Sequence, residues 1–261
     1  MRQAALAVGG QSIRVLELLG GLSQLTIQTF YSALTPPYHL RALIQQVDHL
    51  GVRSISIAGV AAVFTGLVLA LQTAYGLSRF GAKTYVGIIV ALSMVRELGP
   101  VLTALLVGGR VGSGITAELG SMKVTEQIDA MRAMGANPIK KLVVPRVLST
   151  MLVLPLLTVM ADFLGIAGGM IISKHEFQVD YRLYFNTVAR NLTLSDVITG
   201  LGKTVVFGFL IAIIGCYKGL RAAGGTEGLG KATTSTVVTS SITILISDFF
   251  LTKFFWWLEG W

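Results

Sequence analysis

Five apolar stretches, each long enough to cross a lipid bilayer as a helix, decide what this chain is able to become. A crossing helix needs about 20 mostly apolar residues, because each adds roughly 1.5 Å to a hydrocarbon core of about 30 Å. Residues 54–77, 85–107, 147–173, 197–217 and 236–257 meet that length. Only 13% of the residues are charged, against about 25% in a soluble domain, which excludes a soluble enzyme. The net charge of +8 is then a topology signal and not a nucleic-acid footprint, since short cytoplasmic loops collect Lys and Arg. The fold class is an all-α membrane protein, one domain over 1–261.

Five crossings put the termini on opposite sides. With the N-terminus inside, the cytoplasmic loops hold Arg2, Arg14, Arg41, Arg53, Lys123, Arg132, Lys140, Lys141, Arg146, Lys218, Arg221 and Lys231. The outer side holds Arg79, Lys83, Lys174, Arg182, Arg190 and Lys253. That asymmetry favours a cytoplasmic N-terminus, with Phe254, Phe255, Trp256, Trp257 and Trp261 as the aromatic anchor of the far interface. Residues 1–35 are apolar but broken by Arg14 and Glu17 and carry no cleavage pattern, so they are not a signal peptide. Val15, Leu18, Leu22 and Leu25 recur at helical spacing, which fits an interfacial amphipathic helix or one packed on the spans; Thr35, Pro36 and Pro37 end it.

Small residues at four-residue intervals, Ala104–Gly108–Gly112 and Gly165–Gly169, predict close helix packing. Cys216 is a lone thiol, and His39, His49 and His175 lie outside the spans with no carboxylate partner pattern. Gly225 to Ala232 nearly spells a phosphate-binding loop, but Ala232 stands where Ser or Thr must reach magnesium, so the segment reads as the turn between spans four and five.

Arg96, Glu97, Lys203 and Asp248 lie inside apolar spans. Each costs about 2.5 kcal/mol or more if left unpaired at the bilayer centre. Counting about 1.5 Å per residue puts all four near the midplane, where two cations and two anions are able to cancel. Neighbours in sequence do not face each other on a helix, so Arg96 and Glu97 must each reach another span. The network is either a structural lock or a switch that contacts substrate. Asp162 and Arg110 are weaker cases, and Gly99-Pro100 should interrupt span two.

Between spans two and three, Thr125 to Met134 reads as a short surface helix. Thr125 is placed to cap it, Gly135 to stop it and Pro138 to prevent its resumption. Ile128, Met131 and Met134 predict an adaptable apolar docking face.

The run Arg96-Glu97-Leu98-Gly99-Pro100-Val101-Leu102-Thr103-Ala104 continues through Gly109-Arg110-Val111-Gly112 to Thr116-Ala117-Glu118-Leu119-Gly120. It is followed by Glu126-Gln127-Ile128-Asp129-Ala130-Met131, Met134-Gly135, Pro138 and Val144-Pro145-Arg146. With Gly168-Gly169 and Gly224 to Gly230, this pattern resembles the MlaE family, permease subunits of ABC transporters that serve MCE-domain proteins.

The resemblance implies a homodimer in the bacterial inner membrane and two copies of a separate ATPase subunit, which would hold the ATP and Mg. It also implies a hexameric MCE-domain protein, a small STAS-domain protein, and phospholipid as substrate in support of outer-membrane lipid asymmetry. The chain itself is then no enzyme and binds no cofactor or nucleic acid. The loop helix would be the coupling helix, with Glu126, Ile128, Asp129, Met131, Met134 and Gly135 docking on the ATPase. The family places spans one and five at the lipid cavity, so Leu69, Gln72, Leu77 and Phe80 with Ile242, Leu245, Ile246 and Phe249 are the expected lining. The rival classes are an ion-coupled secondary transporter of an amphipathic substrate, which needs an internal repeat this chain lacks, and a lipid enzyme, for which no catalytic constellation is present.

Overall fold

The computed structural model describes residues 2–36 and 40–258, with side chains from residue 16 onward. The side chains of Arg2, Arg14 and Val15, and all of Pro37, His39 and Trp261, lie outside the described residues. Every regular element among the described residues is helical. Five helical runs, Leu40–Ser78, Lys83–Val124, Ile139–Phe177, Leu194–Leu220 and Gly225–Leu258, are long and apolar enough to cross a membrane. They correspond to the five stretches read from the sequence.

In chain order the helices are α1 (Arg2–Leu34), α2 (Leu40–Gly51), α3 (Ile55–Ser78), α4 (Val86–Ser93), α5 (Gly99–Val124), α6 (Gln127–Ala133), α7 (Val144–Phe177), α8 (Tyr181–Asn191), α9 (Leu194–Leu220) and α10 (Gly225–Leu258). Between α4 and α5 lies a π turn, Met94–Leu98, and a second one, Ile139–Val143, leads into α7.

Glycine makes the bundle tight. Helix α9 is its centre, packed between α5 and α7, with α10 against α5 and α9 and with α3 against α7. A methyl group on Gly66 would land on the Gly165 carbonyl of α7, and one on Gly208 would come 2.8 Å from the Thr150 carbonyl. Gly108 and Gly112 lie against Ile211 of α9, as the four-residue spacing predicted. In lipid such backbone approach replaces the hydrophobic drive that helices have in water. The consequence for α9 and α10 is opposite: 56% of the apolar window of α9 is buried but only 11% of that of α10. Helix α10 therefore keeps an exposed apolar surface from Val238 onward.

Helix α1 settles the choice left open for the N-terminal segment. Leu25 is buried, Leu18 and Leu22 pack on the core, and the Tyr217 hydroxyl donates to the Glu17 carbonyl at 3.4 Å. It is a helix docked on the bundle through the face that periodicity marked.

Two local expectations are corrected. Thr125 does not cap α6; its hydroxyl donates to the Ser121 carbonyl at 2.8 Å, and Glu126 enters the helix in the left-handed region at φ 59°. The glycine-rich segment from Gly225 is the start of α10, not a turn. The turn is shorter, and Gly224 (φ +87°) and Gly225 (φ +65°) provide its left-handed bends. Gly228 lies so close to the Ala223 carbonyl that no side chain would fit, so the glycines serve contact while packing overrides their poor helix propensity. Beyond these corrections, span three is followed by α8, with Tyr184 and Val188 buried against the α4 end.

Candidate functional site

The interruption of span two creates the site. Pro100 has no N–H for the Arg96 carbonyl four residues back, and its ring crowds that carbonyl. The chain responds with the π turn Met94–Leu98, which displaces Arg96 and Glu97 from regular helical register. The Arg96 carbonyl instead accepts a hydrogen bond from Lys203 Nζ of α9 at 3.1 Å.

Lys203 has no exposed side-chain surface. Its ammonium also donates to Glu97 Oε2 at 2.8 Å and to Thr252 Oγ1 at 2.7 Å, and it lies 3.3 Å from Asp248 Oδ1. Thr252 Oγ1 in turn donates to Glu97 Oε1 at 3.3 Å. One cation thus stands between two carboxylates from two different spans, with every ammonium proton engaged. Glu97 remains 42% exposed, so the cluster opens to the outside of the chain on this carboxylate.

Sequence reasoning grouped Arg96 with these three, but its side chain turns elsewhere. Arg96 Nε donates to Asp196 Oδ1 at the start of α9. Asp196 is buried, and its other oxygen accepts from the Thr193 backbone N–H and hydroxyl at 2.7 Å each. This partner was missed because Asp196 lies just before the apolar run. The signal that marks it is Thr193-Leu-Ser-Asp196, a capping box at the helix entrance.

Leu245, Asp248, Phe249 and Thr252 follow helical spacing on α10, so the charged cluster borders the apolar stripe of that helix. Ile242, Leu245, Ile246 and Phe249 are all exposed. Of the residues expected from span one, Leu69, Gln72 and Leu77 lie on α3 and Phe80 lies just past its end, and their exposure divides. Gln72 and Phe80 are exposed, whereas Leu69 and Leu77 are half-buried against the core formed by Ala70, Ala74, Val86 and Val90. The open stripe of α3 is Val60, Phe64, Val68, Leu71 and Tyr75, because Ala62, Gly66, Ala70 and Ala74 take the face toward α7.

Asp162 is nearly buried on α7, and its Oδ1 has no hydrogen-bond partner; it fills the space above Gly99 where a side chain would otherwise stand. Arg110 Nη1 donates to Ser54 Oγ at 2.9 Å.

At the opposite end of the bundle, α6 forms the expected surface helix with a different face outward. Ile128 is completely buried in the core and Met131 packs beside it, so Ile128 anchors α6 and is not available for docking. Met134 is 76% exposed, Gly135 turns the chain at φ +75°, and Glu126 and Asp129 face outward. Lys123 Nζ donates to Asp129 Oδ2 at 2.6 Å and Arg132 Nη1 to Oδ1 at 3.2 Å. The Lys123 hydrogen bond holds the Asp129 carboxyl below the usual carboxylate range. No group of three or more metal-ligating side chains occurs among the described residues.

The family model for the permease MlaE matches residues 43–254, which contain the π turn, the Lys203 cluster and α6. The chain belongs to the MlaE permease family. A probable ABC transporter permease protein of Rickettsia conorii is 41% identical over 249 residues, covering 95% of this chain and 96% of that one. A protein of the same description from Synechocystis is 44% identical over 227 residues, 87% and 86% of the two chains. The chloroplastic protein trigalactosyldiacylglycerol 1 of Arabidopsis thaliana is 37% identical over 217 residues, 83% of this chain and 62% of its own length. For an MlaE permease, the features to be explained are an exposed apolar α10, a buried cation at its edge and a small helix held out at the far end.

Proposed function

We propose that this chain is the transmembrane subunit of an ABC transporter that moves phospholipids between the bacterial inner membrane and a periplasmic MCE-protein pathway, in support of outer-membrane lipid asymmetry. The observation that carries the reading is the juxtaposition on α10 of a long apolar stripe with the Lys203–Glu97–Asp248 cluster. Acyl chains suit the stripe, and the amine of a zwitterionic head group suits the exposed Glu97 carboxylate of the cluster. The ABC transporter permease relatives and the lipid in the name of the Arabidopsis relative support the same class.

Energetics require an enclosed path. Burying a methylene is worth about 0.8 kcal/mol, so two acyl chains released into water would cost more than about 20 kcal/mol. The tails must pass from an apolar cavity directly into an apolar tunnel of a partner. A homodimer would place that cavity on its twofold axis, lined by α3 and α10 of each copy. The lining comprises Gln72 and Phe80 with Ile242, Leu245, Ile246 and Phe249, flanked by Leu69 and Leu77.

In this assembly two copies of a separate ATPase bind and hydrolyse ATP with Mg. They seat on α6 through Glu126, Asp129, Met134 and Gly135, with Met131 and Ile128 holding the helix to the bundle. The N-terminus is cytoplasmic and the C-terminus periplasmic, a hexameric MCE-domain protein covers the periplasmic side, and a small STAS-domain protein binds the ATPase.

Purification of the tagged chain from its native membrane in mild detergent tests the assignment. Recovery of an ATPase, an MCE-domain protein and phospholipid is the expected result. Recovery of the chain alone, with ion-dependent binding of an amphipathic substrate, would overturn it in favour of a secondary transporter.

A further inference from the structure

A basic site stands at the α6 end of the bundle, fourteen positions after Arg96 in the chain, a rise of about 20 Å. There the α2–α3 junction, the second half of α5 and the first turns of α10 surround a cavity of about 430 Å³ lined by His49, Arg53, Arg110, Ser113, Glu118 and Thr233. Arg53 Nη1 lies 3.0 Å from His49 Nε2, and Arg110 Nη1 donates to Ser54 Oγ at 2.9 Å. Among the described residues, neither guanidinium forms an ion pair with a carboxylate. Glu118, the acidic group of the wall, is already engaged by Arg146 at 2.9 Å.

Two permanent cations therefore line one opening, and no anion of the described chain neutralises them. The planar fork of arginine is shaped for the oxygens of a carboxylate or a phosphate. Ser113 and Thr233 complete the same wall, their hydroxyls donating to the Gly109 carbonyl at 2.6 Å and the Gly230 carbonyl at 2.8 Å. Apolar surface leads away from the opening along two helices: Ile57, Val60 and Phe64 on α3, and Val238 and Ile242 on α10, are all exposed. A ligand with an anionic oxygen cluster and long apolar tails fits this arrangement.

We propose that the cavity holds the phosphodiester of a phospholipid drawn from the leaflet on the α6 side, with Arg53 and Arg110 as its ligands. This rests on the phospholipid reading above and adds to it a second head-group station, separated from the Lys203 cluster by about half the membrane thickness. A lipid that crosses the membrane then moves its head group between this basic station and the Lys203 cluster while its tails stay on α3 and α10.

The test uses the full transporter with a photoreactive residue, benzoylphenylalanine, at Ser113 or at Phe249, in membranes containing radiolabelled phospholipid. Labelling at both positions is expected. Arg53→Gln/Arg110→Gln should lower lipid labelling at Ser113 about tenfold or more, and Arg79→Gln, at an exposed arginine away from the cavity, should not. Arg53→Gln alone, at an exposed side chain, should give part of the loss without disturbing the fold. Lipid at Phe249 but none at Ser113 would overturn the second station and leave the proposed function standing. Lipid at neither position would overturn both. Quenching of the Ser113 label by millimolar inorganic phosphate, or crosslinking there to a second copy of the chain, would overturn the lipid assignment.

Discussion

Lys203 Nζ reaches the carbonyl oxygen of Arg96 at 3.1 Å, the acceptor that Pro100 leaves without its helical donor. A residue of span four thereby repairs the backbone of span two. The same ammonium pairs with both Glu97 and Asp248. Removing it should expose two costs at once. Lys203→Met is expected to destabilise the chain by about 3 kcal/mol, the scale for breaking one side of a buried pair. Glu97→Gln/Lys203→Met should recover part of that loss. Resistance to proteolysis in detergent, measured for the single and double variants, checks the coupling. Equal damage in both would show that the Glu97 charge has no part in it.

Close approach of α3 to α7 leads to a second expectation. Gly66→Val places a branched side chain on the Gly165 carbonyl and should abolish folding. Gly76, on the same helix, has open space where its Cβ would stand. Gly76→Ala should stabilise by about 0.5–1 kcal/mol, because glycine in a helix interior loses more entropy on folding. Expression and monodispersity of the two variants in one detergent separate these outcomes.

The attachment of α6 should depend on pH. Asp129 is held below its ordinary range chiefly by the hydrogen bond from Lys123. A depressed carboxylate contributes stability that is present above its unfolded value and lost as pH falls through its folded value. The contact is exposed, so the effect is small and weakened by salt. A spin label at Ala133 should report increased mobility of α6 only at strongly acid pH, and Asp129→Asn should show that mobility already at neutral pH. A label insensitive to both would place the restraint on Ile128 alone.

Met134 and Ile128 separate docking from folding. Met134→Asp changes an exposed side chain and should leave the bundle intact while reducing recovery of the ATPase partner at least tenfold, a change of about 1.4 kcal/mol or more. Ile128→Asp buries an unpaired carboxylate and should remove the folded chain itself. Co-purification from membranes, normalised to the amount of permease, distinguishes the two. Undiminished ATPase recovery with Met134→Asp would exclude the exposed face of α6 as the seat.

Much of this arrangement is legible in the residues because lipid leaves few choices: apolar length predicts the spans, and small residues at fixed intervals predict where they touch. The charges were legible as a group but not as pairs. Rise per residue gives depth along a span and says nothing of azimuth, and the π turn alters azimuth most at Arg96 and Glu97. Asp196 escaped notice because its carboxylate belongs to a cap, outside the apolar run that defined the span. Ile128 was misread for a related reason. Helical spacing groups Ile128, Met131 and Met134 loosely on one side of α6, but only the packed bundle decides which of them is inside. Leu69 and Leu77 tell the same story on α3, where the alanine-glycine face selects the packing side and leaves the leucines beside it.

The π turn at Met94–Leu98 has a meaning for the genetics of this protein. Each residue rotates a helix by about 100°, so one added or removed position within the turn would swing all of α5 around its axis. Gly108 and Gly112 would leave Ile211, and Arg110 would leave Ser54. Chain length is therefore information in this segment, as specific as any side chain. A one-residue deletion between Met94 and Leu98 should be lethal to the fold even when it removes a replaceable residue such as Val95, whereas the connection between α3 and α4 has slack to absorb one.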